Sequence, residues 1–187
     1  GERFGFSVES VSLVVERHPT ETVTYSSTYI RACVDAGDVV AAEEALGRPH
    51  RVEGVVVRGD GRGRNLGYPT ANIAPPLYSA IPADGVYAAW FTVLGPAAAE
   101  SPGTGSMIPG QRYPAAISVG TNPTFSGRTR TVEAFVLDTS ADLYGQHVAV
   151  DFVSRLRGQV KFGSVDDLIE AMHRDTGRAR TILAAQA

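Results

Sequence analysis

Residues Gly59 to Asn72 carry the densest chemical signal in the chain. Three glycines alternate through Gly59-Asp60-Gly61-Arg62-Gly63-Arg64, and a fourth follows at Gly67. Glycines reach positive φ and let backbones approach closely, so successive N–H groups can converge on phosphate oxygens. Arg58, Arg62 and Arg64 concentrate positive charge in a chain whose net charge is −3. Such a loop suits a polyphosphate. A hairpin turn with a solvated arginine face is the competing reading. The loop lacks the Gly-Lys-Ser/Thr ending of a P-loop, and no periodic helix follows it as a dinucleotide fingerprint requires. Pro75 and Pro76 would stop a helix begun there. Just beyond, Pro69 sets the backbone ahead of Thr70 and Asn72. Two oxygen-bearing side chains one residue apart share a side of an extended segment. A hydroxyl and an amide carbonyl can complete the shell of a Mg²⁺ that also holds ATP phosphates. An Asx or Ser/Thr turn capping a strand is the alternative.

Phosphoryl transfer also needs a group that orients the attacking hydroxyl. Glu133 stands in a strand candidate, Val132 to Asp138, with Val132 and Ala134 directed to the opposite face. It can accept that proton, or be an ordinary exposed strand glutamate. Asp138, Asp142 and Asp151 are rival carboxylates with no motif around them. His147 and His173 have no ligand-like spacing. The single cysteine, Cys33, excludes an internal disulfide and a cysteine metal cage, and its apolar helical setting reads as a buried thiol.

These groups need a scaffold. Strand candidates at Val52 to Arg58, Gly85 to Leu94, Tyr113 to Val119, Val132 to Asp138 and His147 to Leu156 are separated by turn chemistry, with no crossover helices between them. That series predicts a mainly β fold, an antiparallel barrel or sandwich. Gly95 to Gly110 reads as a loop. A C-terminal helix starts at a Ser164 cap with Asp167 three residues on, and its face through Val165, Leu168, Ile169, Met172, Ala179, Ile182 and Leu183 should pack on the sheet. Upstream, Val8 to Val15 reads as a buried strand, and Ser27 to Ala36 and Val39 to Leu46 as short helices.

With 43% hydrophobic and 20% charged residues the chain should form a packed core. Its net charge argues against nucleic acid as the main partner, and no apolar run approaches the roughly 20 residues of a membrane helix. The chain begins at Gly1 with no signal-peptide pattern, so it reads as cytoplasmic and as a piece of something longer.

The run Gly61-Arg62-Gly63-Arg64-Asn65-Leu66-Gly67-Tyr68-Pro69-Thr70-Ala71-Asn72 resembles the signature of riboflavin kinases. The resemblance continues through Gly85-Val86-Tyr87, Ala116 to Phe125, Val132-Glu133-Ala134-Phe135, Phe152 to Arg157 and Lys161-Phe162, and so covers about Arg51 to Leu183. It implies a six-stranded antiparallel barrel with a C-terminal helix that moves the γ-phosphoryl of ATP to the ribityl 5′-hydroxyl of riboflavin, giving FMN. It makes Thr70 and Asn72 ligands of Mg²⁺ and ATP phosphate, and Glu133 the catalytic carboxylate. Gly59, Gly61, Arg62, Gly63, Arg64 and Tyr68 then belong to the ATP side. The flavin ring wants apolar walls, which Phe125, Leu143, Phe162 and the Met172 face can supply. Asn122, Thr124 and Arg155 can orient its polar groups. Each of the apolar residues is also an ordinary core candidate.

Before residue 49, Ser27, Thr28 and Arg31 match the Ser-Ser-Thr-x-Ile-Arg motif of the FMN adenylyltransferase module that precedes the kinase in bacterial bifunctional FAD synthetases. The upstream His-containing nucleotide motif of that module is absent. Residues 1–48 are therefore expected to be the C-terminal remnant of an α/β nucleotidyltransferase module and 49–187 the kinase, with no FAD made from FMN by this chain alone. A non-catalytic flavin- or nucleotide-binding barrel and an unrelated ATP-binding regulatory module are the other readings. Neither needs the combination of Thr70, Asn72 and Glu133.

Overall fold

The computed structural model describes residues 2–12, 14–17, 22–59, 63, 66–96, 105–124, 127–139 and 141–186. A short antiparallel hairpin, β1 (Val15–Arg17) and β2 (Thr22–Thr24), precedes two helices, α1 (Ser27–Ala36) and α2 (Val39–Leu46). The helix ends follow from capping chemistry. Ser26 accepts from the Tyr29 N–H and opens α1. Gly37, at φ 78°, closes it, with N–H groups of Gly37 and Asp38 returned to Val34 and Cys33 carbonyls. Asp38 then caps α2 through the Ala41 N–H. Cys33, Val34 and Ala42 fill the seam between the two helices, and the Cys33 thiol is buried there.

The expected buried strand at Val8 to Val15 is not formed. Val8, Val11 and Val14 are exposed, and only Val15 enters β1. β-branched residues make a strand only where a neighbouring strand takes up their backbone groups. Among the described residues this segment finds only the three-residue β2.

Six strands close a fully antiparallel barrel in the order β3-β4-β7-β6-β5-β8. They are β3 (His50–Val57), β4 (Ala71–Ala74), β5 (Gly85–Pro96), β6 (Arg112–Thr124), β7 (Gly127–Val136) and β8 (Gln146–Arg157). Alternation sends Val52 and Val56, Phe91 and Val93, Ile117 and Val119, Val132 and Ala134, and Val150 and Phe152 into one core. Tyr87 sits in that core edge-on to Phe152, 5.3 Å between ring centroids. Its phenol donates to the Ala83 carbonyl at 2.6 Å, and burial pushes its pKa up, which keeps the proton in place for that bond. Val39 of α2 joins the same core, so the helical pair is packed onto the barrel.

The outer face of β5, β6 and β8 is apolar as well. Val86, Ala88, Ala116, Val153 and Leu156 are covered by α3 (Val165–Ala184), which buries Ala179 and Leu183 against them. Ser164 caps α3 by accepting from the Asp167 N–H. The barrel and its covering helix agree with the fold expected of a riboflavin kinase.

One polar contact at the start of β3 sets a pH response. His50 Nε2 lies 2.8 Å from the Ala80 carbonyl, a bond the neutral ring makes as an N–H donor, and burial lowers the His50 pKa. The unfolded chain therefore binds more protons here than the folded one as pH falls below the ordinary histidine value of about 6.5. The expected result is a loss of stability as pH drops through that value towards the lowered folded pKa, with full stability above it. Denaturant titrations between pH 8 and 5 should show a shallower pH dependence for His50→Gln. Parallel profiles for the two proteins would refute it.

Candidate active site

β4 is the element that assembles the site. It is four residues long, and it is inserted between β3 and β7 so that Asn72 lies opposite both Val57 and Glu133. Glu133 is in turn opposite Ser118 of β6. Asn72, Glu133 and Ser118 thus form one row across three strands on the outer face of the barrel. Thr70, at the entry to β4, donates from Oγ1 to Glu133 Oε2 at 3.3 Å. A hydroxyl held as donor keeps its oxygen lone pairs for another partner.

The preceding loop is pressed against this row. A side chain at Gly59 would overlap the Asn72 carboxamide, and one at Gly63 would overlap the Tyr68 carbonyl. Here glycine is required for close approach rather than for an unusual φ. Gly63 O accepts the N–H groups of Leu66 and Tyr68, which folds the loop's end back over Thr70.

Two cavities meet at Thr70. The first, of 220 Å³, lies between the barrel's outer face and α3. Its apolar walls include Phe135, Phe162, Leu168 and Met172, and its polar groups include Thr70, Ser118, Glu133 and Gln159. Tyr68 packs on Phe135 at 5.1 Å between centroids, and its hydroxyl lies 3.2 Å from His173 Nδ1 on α3. Arg157 forms the far wall with its guanidinium 5.5 Å from the Phe162 ring centre. That guanidinium is held by the buried carboxylate of Asp175, at 2.9 Å from Nε and 2.8 Å from Nη2. The second cavity, of 370 Å³, opens on the other side of Thr70 towards Met107, Leu143, Asp142 and Tyr144. Arg58 stands at its edge, 5.7 Å from the Tyr144 ring centre.

Of the residues singled out from sequence, Gly59, Gly63, Tyr68, Thr70, Asn72, Glu133 and Phe162 are brought together around this junction. Tyr68 faces the same cavity as Phe162, while Leu143 lines the other one. Arg155 lies elsewhere. Its guanidinium donates to the Ala36 and Asp84 carbonyls and ties the end of α1 to the barrel. Gly61, Arg62, Arg64 and Phe125 fall outside the described residues, as do the side chains of Asn122 and Thr124. Ser27, Thr28 and Arg31 are exposed on α1. Sequence reasoning gave no role to Ser118, Gln159, Arg157 or Asp175. Their partners are 18 to 41 residues away, and Ser118 and Arg157 entered only as members of the matched motif runs.

A flavokinase (riboflavin kinase) family model matches residues 46–183. The chain belongs to the riboflavin kinase family. It is 34% identical over 180 residues to a bifunctional riboflavin kinase/FMN adenylyltransferase of Escherichia coli (strain K12), an alignment covering 96% of this chain and 51% of that protein. A protein of the same description from Bacillus subtilis (strain 168) is 30% identical over 89% of this chain and 49% of its own length. The chain therefore spans about half the length of the curated relatives it matches. Among solved structures, riboflavin kinase from Trypanosoma brucei superposes with a TM-score of 0.50 at 25% identity, over 73% of this chain and 81% of that one. A Streptococcus pneumoniae structure described as a macrolide-efflux protein gives a TM-score of 0.73 at 36% identity, over 84% of this chain and 47% of that one. The riboflavin kinase family match includes every element of the barrel and nearly all of α3.

Proposed function

We propose that this chain transfers the γ-phosphoryl group of ATP to the ribityl 5′-hydroxyl of riboflavin, giving FMN and ADP. The observation that carries this is the Thr70–Glu133 hydrogen bond at the junction of the two cavities. The cavity walled by Phe135, Phe162 and Met172 suits a planar apolar ring, and it holds Glu133. The cavity beyond Thr70 then takes the nucleotide, with Arg58 beside it. Glu133 orients the ribityl hydroxyl and accepts its proton as the new O–P bond forms. ADP departs with the electrons of the bond that breaks.

The residues present fit a Mg²⁺. Thr70 Oγ1 and the Asn72 carboxamide are hard oxygen donors on adjacent positions of one face, and Thr70 has lone pairs to spare. No group of three His, Cys, Asp or Glu side chains suited to a metal occurs among the described residues, so phosphate and water oxygens would complete the shell. When bound, the ion neutralises phosphate charge.

In this reading residues 1–48 are the C-terminal part of an adenylyltransferase module, and the longer protein also converts FMN to FAD. No helix among the described residues is long and apolar enough to cross a membrane, and we place the enzyme in the cytoplasm. Incubation of the chain with riboflavin, ATP and Mg²⁺ should yield FMN and ADP in equal amounts and no FAD, read by chromatography. Flavin binding without FMN formation would favour a binding barrel. FAD formed from FMN would overturn the reading of residues 1–48.

A further inference from the structure

We infer that Ser118 and Gln159 read the hydroxyls of the ribityl chain and so decide which flavin side chains are accepted. The inference rests on the kinase reading above and concerns the same cavity. Gln159 Nε2 donates to the Val119 carbonyl at 2.8 Å and to Ser118 Oγ at 3.1 Å. Both amide hydrogens are thereby used, which fixes the carboxamide orientation and leaves Oε1, which has no hydrogen-bond partner among the described residues, as an acceptor. Ser118, having accepted from Gln159, keeps its own proton to donate. One acceptor and one donor are thus presented side by side in the cavity lining.

Position decides what they meet. Ser118 is the direct cross-strand neighbour of Glu133, and such pairs stand roughly 4.5–5.5 Å apart at Cβ. With the terminal hydroxyl at Glu133 and the ring against Phe162, the intermediate part of the chain has to pass Ser118 and Gln159. That part of riboflavin carries hydroxyl groups, each both a donor and an acceptor. Asp175 and Arg157 on the same wall are tied chiefly to each other, and Arg157 Nη1 also donates to the Gly158 carbonyl. Ser118 and Gln159 are half-exposed or exposed, so water can replace a missing hydroxyl. Each bond therefore discriminates by roughly 3- to 10-fold rather than by the far larger factors of a sealed polar site.

The test compares riboflavin with a flavin whose ring nitrogen bears a 5-hydroxypentyl chain, identical in ring and terminal hydroxyl but lacking the intermediate hydroxyls. The wild-type chain should favour riboflavin in kcat/KM by roughly 10- to 100-fold, two such bonds together. Ser118→Ala and Gln159→Met should each reduce that preference by roughly 3- to 10-fold, mainly by weakening riboflavin, while Ser118→Thr should retain it. A merely structural role would lower both substrates equally and leave their ratio unchanged, and that result would overturn the inference. So would a wild-type preference near one. A wild-type chain that phosphorylates neither flavin would instead defeat the kinase reading, and this inference with it.

Discussion

Exchanging Glu133 for glutamine is expected to lower kcat by about 10²–10⁴-fold, the usual contribution of a general base. The exchange keeps the size of the side chain and an oxygen that can still accept from Thr70, now 3.3 Å away. What it removes, in the proposed reaction, is the capacity to take the proton of the attacking hydroxyl. Glu133 lies in the middle of β7, flanked by Val132 and Ala134, which are buried in the barrel core. Its backbone is therefore set by the ladder and not by its own carboxylate. Steady-state assays, with riboflavin binding followed by flavin fluorescence, would separate the two effects. A Glu133→Gln chain with wild-type kcat would remove the carboxylate from the proposed mechanism and leave Thr70 and the proposed metal site to explain any turnover.

The second large effect concerns stability. Asp175→Ala is expected to destabilise the fold by about 3 kcal/mol, near the lower end of the range for breaking a buried ion pair. At this chain length that corresponds to a fall in Tm of roughly 6–12 °C. Asp175 is 6% exposed on the inner side of α3 and meets Arg157 through two of its guanidinium nitrogens. The Arg157 side chain is 23% exposed, so water can reach part of the cation once its partner is gone, and the lower end applies. Replacing both members by apolar residues, Arg157→Met with Asp175→Leu, should recover much of the loss, because no uncompensated charge is then left. Differential scanning of the single and double variants would show this. A single variant melting within about 1 °C of wild type would mean that the pair contributes little.

Helix boundaries were legible because their signals are local. Ser26, Gly37 and Asp38 bound α1 and α2 through contacts within a few residues of themselves, and Gly47 closes α2 at φ 67°. The long strands were legible from β-branched and aromatic runs set off by turn chemistry. β4 was not, since four residues between Pro69 and Pro75 have no pattern of their own, and they are held extended only by β3 and β7. The same dependence on neighbours explains why Val8, Val11 and Val14, in a good strand by composition, stay exposed. In the site, Thr70, Asn72 and Glu133 were found through motif resemblance, but the meeting of Thr70 with Glu133, 63 residues on, is a matter of register between strands, which no local rule supplies. Arg155 and Arg157 show the limit most plainly. They are two residues apart on β8, yet one ties down α1 and the other walls the cavity. The register shifts in the β5–β8 ladder at Val86/Tyr87 and Ala88/Ala89 accompany this divergence, and they are invisible in composition.

Thr70 lines both cavities, and this sharing has a thermodynamic consequence. If nucleotide and flavin occupy the two sides, each changes the surroundings of one common hydroxyl and of the carboxylate bonded to it. By linkage, the factor by which bound nucleotide alters flavin affinity must equal the factor by which bound flavin alters nucleotide affinity. A single side chain at the wall between two ligands thus gives their equilibria a route to couple, and linkage makes that coupling the same whichever arrives first.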